Sequence, residues 1–292
     1  MIAIDSAKAG AAALLLATAL AAGAPAWAAS GKHVHIDRQP WSFGGLLGKF
    51  DEAQLQRGFK VYTEACARCH GVKRLAFRNL AQPGGPSFPE AAIKSLAADK
   101  YKVDAEPNDQ GKVVKRPAIL ADLIPSPFRN EQEARAAQPG GALPPDLSLI
   151  ARARSVETNN PFYLVPLAML RDIASGYQEG GADYLYAYLT GFKPPPTGVK
   201  VPDAMNYNRA FPDPHFTAMP NPFAAGDGDI KYTDGTPATV ANYARDVTAF
   251  LSWAADPQLE ERKRLGLLVM VYLLITAILL YFAKRRIWSK AH

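Results

Sequence analysis

Cys66-Ala67-Arg68-Cys69-His70 contains both cysteines of the 292-residue chain and sets a histidine directly after the second. The spacing is the attachment pattern of a c-type haem. Two thiols three residues apart on one turn can each add to a haem vinyl group, and the adjacent imidazole then reaches the iron from one face. Cys66 and Cys69 are thus the expected thioether positions for one haem c, and His70 the first axial ligand. Chance is a weak rival: two cysteines scattered at random fall three apart about once in 150 arrangements, and a histidine follows about once in 60. Zinc would want four ligands, yet there is no second cysteine pair, and His33, His35, His215 and His292 lack the spacing of a finger. A redox dithiol has no use for His70, and a bridge across two residues closes too small a loop to stabilise much.

Working outward, the first thirty residues read as an export signal. Lys8 lies in a short polar start, an apolar run extends from Ala9 to Ala22, and Ala26-Trp27-Ala28 is a small-x-small cleavage site. Residues 1–28 are expected to be removed. Near the other end, the 19 residues from Leu265 to Ala283 carry no charge and suffice to cross the hydrocarbon layer. Arg262-Lys263-Arg264 and Lys284-Arg285-Arg286 flank them, with Tyr281 and Trp288 at the interface, as a membrane span requires. Both flanks are basic, so orientation rests on the export signal, which puts the central domain outside. The expected division is a haem domain over 29–258, an anchor helix over 259–288 and a cytoplasmic tail over 289–292.

The formal net charge of +6 suggests an anionic partner until it is divided by region. Residues 1–30 are balanced, residues 261–292 carry seven basic side chains against Glu261, and residues 31–260 carry 25 basic and 25 acidic side chains. The excess belongs to the anchor, and nucleic-acid binding has no support.

The exported part is large enough for one buried core, and Pro and Gly make up 46 of the 292 residues, so much of it is loop. Its helices are short. Asp51 can cap a helix through Lys60 and Ala65 that delivers the haem-binding turn, Ser87 precedes Phe88-Pro89-Glu90 at another start, and Asn130 with Glu133 forms a capping-box pattern ended by Pro139-Gly140. Ala182 to Leu189 reads as an aromatic helix closed by Gly191, followed by about 40 residues of loop. Val240, Val247, Phe250, Leu251 and Ala254 recur at helical spacing, and Asp256-Pro257 restarts the helix that enters the span. Strand patterns are nearly absent apart from a possible hairpin in Tyr101 to Lys115. The fold class is therefore an all-α, loop-rich c-type cytochrome domain with one C-terminal transmembrane helix.

An electron carrier needs a sixth iron ligand, and methionine and histidine are the usual donors. Met1 leaves with the signal and Met270 lies in the span, leaving Met169, Met205 and Met219 beside a histidine such as His215. Met169 sits in the apolar run Phe162 to Leu170, where space-filling is its expected job, and Met205 follows a proline loop. Met219 stands in Ala218-Met219-Pro220-Asn221-Pro222, whose prolines can hold a thioether against iron. This setting favours Met219 without closing the alternatives.

With these pieces in place, the chain resembles the cytochrome c1 family, the haem-bearing subunits of the ubiquinol:cytochrome c oxidoreductase (bc1) complex. Arg57-Gly58-Phe59-Lys60-Val61-Tyr62 leading into the cysteines, Gly141-Ala142-Leu143-Pro144-Pro145-Asp146-Leu147-Ser148 with Ala151-Arg152-Ala153-Arg154, and Asp183-Tyr184 through Gly191-Phe192 carry the resemblance. So do Ala218-Met219-Pro220, Asp234-Gly235-Thr236-Pro237-Ala238-Thr239 and Phe250-Leu251-Ser252-Trp253-Ala254-Ala255. The resemblance implies Met219 as the axial ligand and Arg154 and Tyr184 as partners of the haem propionates. It implies a respiratory electron-transfer subunit, single-pass in the bacterial inner membrane with its haem on the periplasmic side. Electrons would come from a Rieske iron–sulfur protein and pass to a soluble cytochrome c during ubiquinol oxidation, beside cytochrome b in a dimeric complex. Enzymatic activity would belong to that complex; the chain itself would transfer electrons. Two departures stand out: Pro139-Gly140 replaces asparagines common before Gly-Ala-Leu, and Ser155 to Glu179 is longer than in mitochondrial members and similar to bacterial insertions.

Overall fold

The computed structural model describes residues 34–156, 161–174, 178 and 180–289. The expected export signal, His33, His292 and the end of the tail lie outside the described residues. Eight α-helices are found among them: α1 Glu52–Val61, α2 Glu90–Lys100, α3 Glu131–Ala136, α4 Ile150–Ala153, α5 Val165–Ala174, α6 Gly180–Thr190, α7 Val240–Ala255 and α8 Leu259–Trp288. Two small antiparallel ribbons join them: β1 Lys102–Asp104 with β2 Lys115–Pro117, and β3 Asn206–Tyr207 with β4 Phe216–Thr217. The first ribbon is the expected hairpin. The second lies in the stretch read as loop, because two-residue strands leave no alternation to read.

The centre of the domain is the crossing of α1 and α7. Asp51 starts α1 by accepting a hydrogen bond from the Gln54 amide at 2.7 Å, and Leu55, Phe59 and Val61 then turn inward. Gly58 makes the close approach possible: a Cβ there would stand 2.1 Å from the Asp246 carbonyl oxygen and 2.7 Å from Phe250 Cβ. Phe250 packs against Phe59 and Tyr62 at centroid distances of 5.5 and 5.7 Å. Buried Asp246 accepts from Arg57 Nε at 2.8 Å, while Arg57 also pairs with Asp234 at 2.7 Å. The expected apolar stripe on α7 proves wider than one face. Tyr243, Ala244, Val247, Thr248, Ala249, Phe250, Leu251 and Trp253 are all buried, because α1, α4 and α6 each pack on this helix.

The foot of the domain is tied to α8. Lys263 Nζ donates to the Phe43 carbonyl at 2.6 Å, the Phe50 amide to Glu260 at 2.9 Å, and Asp256 receives Arg152 and Arg262. Beyond Arg264, α8 is exposed and is long and apolar enough to cross a membrane. Lys284 Nζ lies 4.5 Å from the Trp288 ring at its far end. The apolar run Phe162 to Leu170 corrects the expectation attached to it. It forms a 3-10 turn and most of α5 on the surface, with Phe162 87% and Met169 59% exposed, so Met169 is not part of the core among the described residues.

Candidate haem site

The end of α1 shapes the pentapeptide. Past Val61 the helix widens into a π turn over Tyr62–Cys66, departing from the regular helix expected through Ala65. The Ala67 amide bonds the Tyr62 carbonyl, and the Cys69 and His70 amides both return to the Cys66 carbonyl at 3.1 and 2.9 Å. Cys66 is buried and Cys69 half-buried. Desolvation, with Cys69 beside it, pushes the Cys66 thiol up to about 12, opposite to what a redox dithiol needs.

The imidazole of His70 is buried, and its Nδ1–H donates to the Pro145 carbonyl oxygen at 2.8 Å. That bond fixes the tautomer and leaves Nε2 as the free donor nitrogen. Burial holds His70 below its ordinary pKa against the opposing pull of the Pro145 carbonyl and Asp146, so the ring is neutral and ready to ligate. The Pro145 loop is latched along its length. Asp146 accepts from the Lys73 and Ser148 amides at 2.9 and 3.0 Å, Ser148 Oγ accepts from the Arg74 amide at 3.0 Å, and the Leu147 amide donates to the Gly71 carbonyl at 2.8 Å. Gly140 and Gly141, at φ of 66° and 67°, start this loop in the left-handed region, which glycine enters freely and asparagine tolerates.

A cleft of about 570 Å³ opens over this wall, within the usual range for a cofactor site. Cys66, Cys69, His70, Met219, Arg154 and Tyr184 all line it, so the expected haem attachment points, axial pair and propionate partners come together. Met169, Met205 and His215 do not line it. The first two are exposed, and His215 Nδ1 lies 2.6 Å from the Phe211 carbonyl oxygen. The rest of the lining is mostly apolar, including Leu143, Leu147, Leu185, Leu189 and Leu251. Arg154 is placed by a close approach: a Cβ on Gly181 would stand 1.7 Å from the Ala151 carbonyl oxygen and 2.5 Å from that of Arg154, so α6 meets the end of α4 in direct contact. A thiol pair, a neutral imidazole, a thioether, an apolar cleft and an arginine fit the donor set of a c-type haem.

The family model described as the cytochrome C1 family matches residues 41–291. The chain belongs to the cytochrome c1 family. It is 51% identical over 253 residues to a Bradyrhizobium diazoefficiens protein named cytochrome b/c1, covering 86% of this chain and 35% of that longer relative. It is 42% identical over 268 residues to cytochrome c1 of Blastochloris viridis, covering 92% and 91%. A Candida albicans relative named cytochrome b-c1 complex catalytic subunit, mitochondrial, is 39% identical over 267 residues, covering 91% and 82%. As a member of this family the chain is a membrane-anchored, haem-bearing electron-transfer protein of a b–c1 complex with cytochrome b.

The places of Pro145, Asp146 and Tyr188 at the site were not legible in the sequence. Pro145 and Asp146 act through a backbone carbonyl and a latch to backbone amides, roles set by the path of a loop. Tyr188 lines the cleft one turn after Tyr184, their rings 6.1 Å apart, and its spacing on α6 was the available signal.

Proposed function

We propose that this chain holds one haem c through thioethers at Cys66 and Cys69, with His70 and Met219 as axial ligands. It takes electrons singly from a Rieske iron–sulfur protein and passes them to a soluble cytochrome c while ubiquinol is oxidised by the assembled, dimeric complex. The observation that carries the reading is that His70, with Nε2 free, and Met219 line one apolar cleft with both cysteines. When bound, the haem supplies an iron that alternates between the ferric and ferrous states.

The chain's own residues do the rest. His70 is held in one tautomer by Pro145, so its ring need not reorient when the charge at the site changes. The Met219 thioether favours the ferrous state and raises the potential. Arg154 and Tyr184 receive the propionates by charge and hydrogen bonding. Apolar walls exclude water, which raises the cost of the ferric charge and pushes the potential the same way.

Residues 1–28 serve as the export signal, 29–258 as a periplasmic haem domain, 259–288 as the anchor in the inner membrane and 289–292 as a cytoplasmic tail. Affinity purification from membranes tests the reading. Recovery of cytochrome b and a Rieske protein with the chain, and ubiquinol-dependent reduction of a soluble cytochrome c, are expected. Recovery with an oxidase and without either subunit would overturn it.

A further inference from the structure

The Met219 segment has few internal anchors, because Pro220 and Pro222 lack an N–H to donate. Its Met219 amide donates to Thr217 Oγ1 at 3.3 Å. Thr217 is buried at the end of β4, and the same Oγ1 lies 2.7 Å from the Tyr188 hydroxyl on α6. Tyr188 is itself clamped: fully buried Asn208 donates its amide to the Tyr188 carbonyl at 2.8 Å, and Asn208 follows β3, the partner strand of β4. The hydroxyl and carbonyl of one residue thus tie α6 to both arms of the ribbon that presents Met219.

We propose that Tyr188 is a positioning residue for the axial methionine, its hydroxyl acting through Thr217 to fix where Met219 stands in the cleft. This rests on the reading of Met219 as the iron ligand. Burial pushes the Tyr188 phenol up to about 12, so the hydroxyl keeps its proton through the neutral range and the bond to Thr217 persists. The ring has separate work, packing against Phe192 and Phe211 at 5.5 and 6.0 Å, so Tyr188→Phe removes the hydroxyl and keeps the packing.

The test uses the detergent-solubilised full-length holoprotein and imidazole, which competes with an axial thioether for ferric iron. Tyr188→Phe is expected to bind imidazole roughly two- to tenfold more tightly than the wild type, the effect of one lost hydrogen bond, and to show a lower reduction potential. Thr217→Val should match it, and the double variant should gain no more than the stronger single, since both act in one chain of contacts. Wild-type imidazole affinity in Tyr188→Phe overturns the proposal, even where its unfolding midpoint falls, since a merely structural hydroxyl moves only the midpoint. Full additivity in the double variant also overturns it. Met219→Leu separates the two ideas. If that variant keeps wild-type imidazole affinity, Met219 is not the ligand and the positioning role falls with it. If Met219→Leu binds imidazole much more tightly while Tyr188→Phe does not, only the positioning role fails.

Discussion

His70 donates its Nδ1–H to the carbonyl of Pro145 across 2.8 Å, joining the haem-binding turn to a loop 75 residues further along the chain. The bond leaves Nε2 as the only free ring nitrogen, so the two segments together prepare the proposed axial ligand.

Asp146→Ala should loosen that partnership without touching His70. It removes acceptors for the Lys73 and Ser148 amides and is expected to cost about 1–2 kcal/mol in guanidinium unfolding. An unchanged midpoint would mean that the latch is idle.

Gly58→Ala tests the crossing of α1 and α7. The added Cβ meets the Asp246 carbonyl oxygen at 2.1 Å, so backbone must move, and a loss of at least about 2 kcal/mol is expected. The thermal midpoint of the purified holoprotein reads it. A neutral result would show that the helices can part freely.

Arg57→Ala leaves the buried Asp246 carboxylate without its cationic partner, with Gln54 still donating to it. Destabilisation of about 2–4 kcal/mol is expected from urea titration, because an uncompensated buried charge costs more than the pair contributes. Asp246→Asn should recover part of that loss in the Arg57→Ala background.

Acid should weaken the fold through paired carboxylates. Asp122 is held below the usual carboxylate range first by Arg116, and Asp234 first by the Thr236 amide and then by Arg57, so the unfolded chain takes up these protons first. Their contribution is full above about pH 4 and is lost as pH falls from there. Denaturant midpoints should therefore be lower at about pH 3 than at about pH 5. Equal midpoints would contradict the pairing of these carboxylates.

The cofactor class and its proposed attachment were legible in the sequence because thioether chemistry demands a fixed local spacing, and α1, α7 and α8 were legible through caps and apolar periodicity. It did not reveal Pro145 as the partner of His70, since any residue type supplies a carbonyl and only the loop's path aims it. The local proline setting favoured Met219 over Met169, Met205 and His215, the resemblance implied it, and among these four it alone lines the cleft. The apolar run containing Met169 shows the same limit from the other side: periodicity marks an apolar face, while its surroundings are set by tertiary packing, and here that face is exposed.

The most direct test of the account is carbon monoxide binding to the reduced holoprotein, wild type beside Met219→Leu, with haem stain on a denaturing gel as the check on attachment. The wild type should leave carbon monoxide unbound, Met219→Leu should bind it, and both should keep the stain, which Cys66→Ser with Cys69→Ser should abolish. Ready binding by the wild type, or a Met219→Leu spectrum identical to it, would contradict the pairing of His70 with Met219.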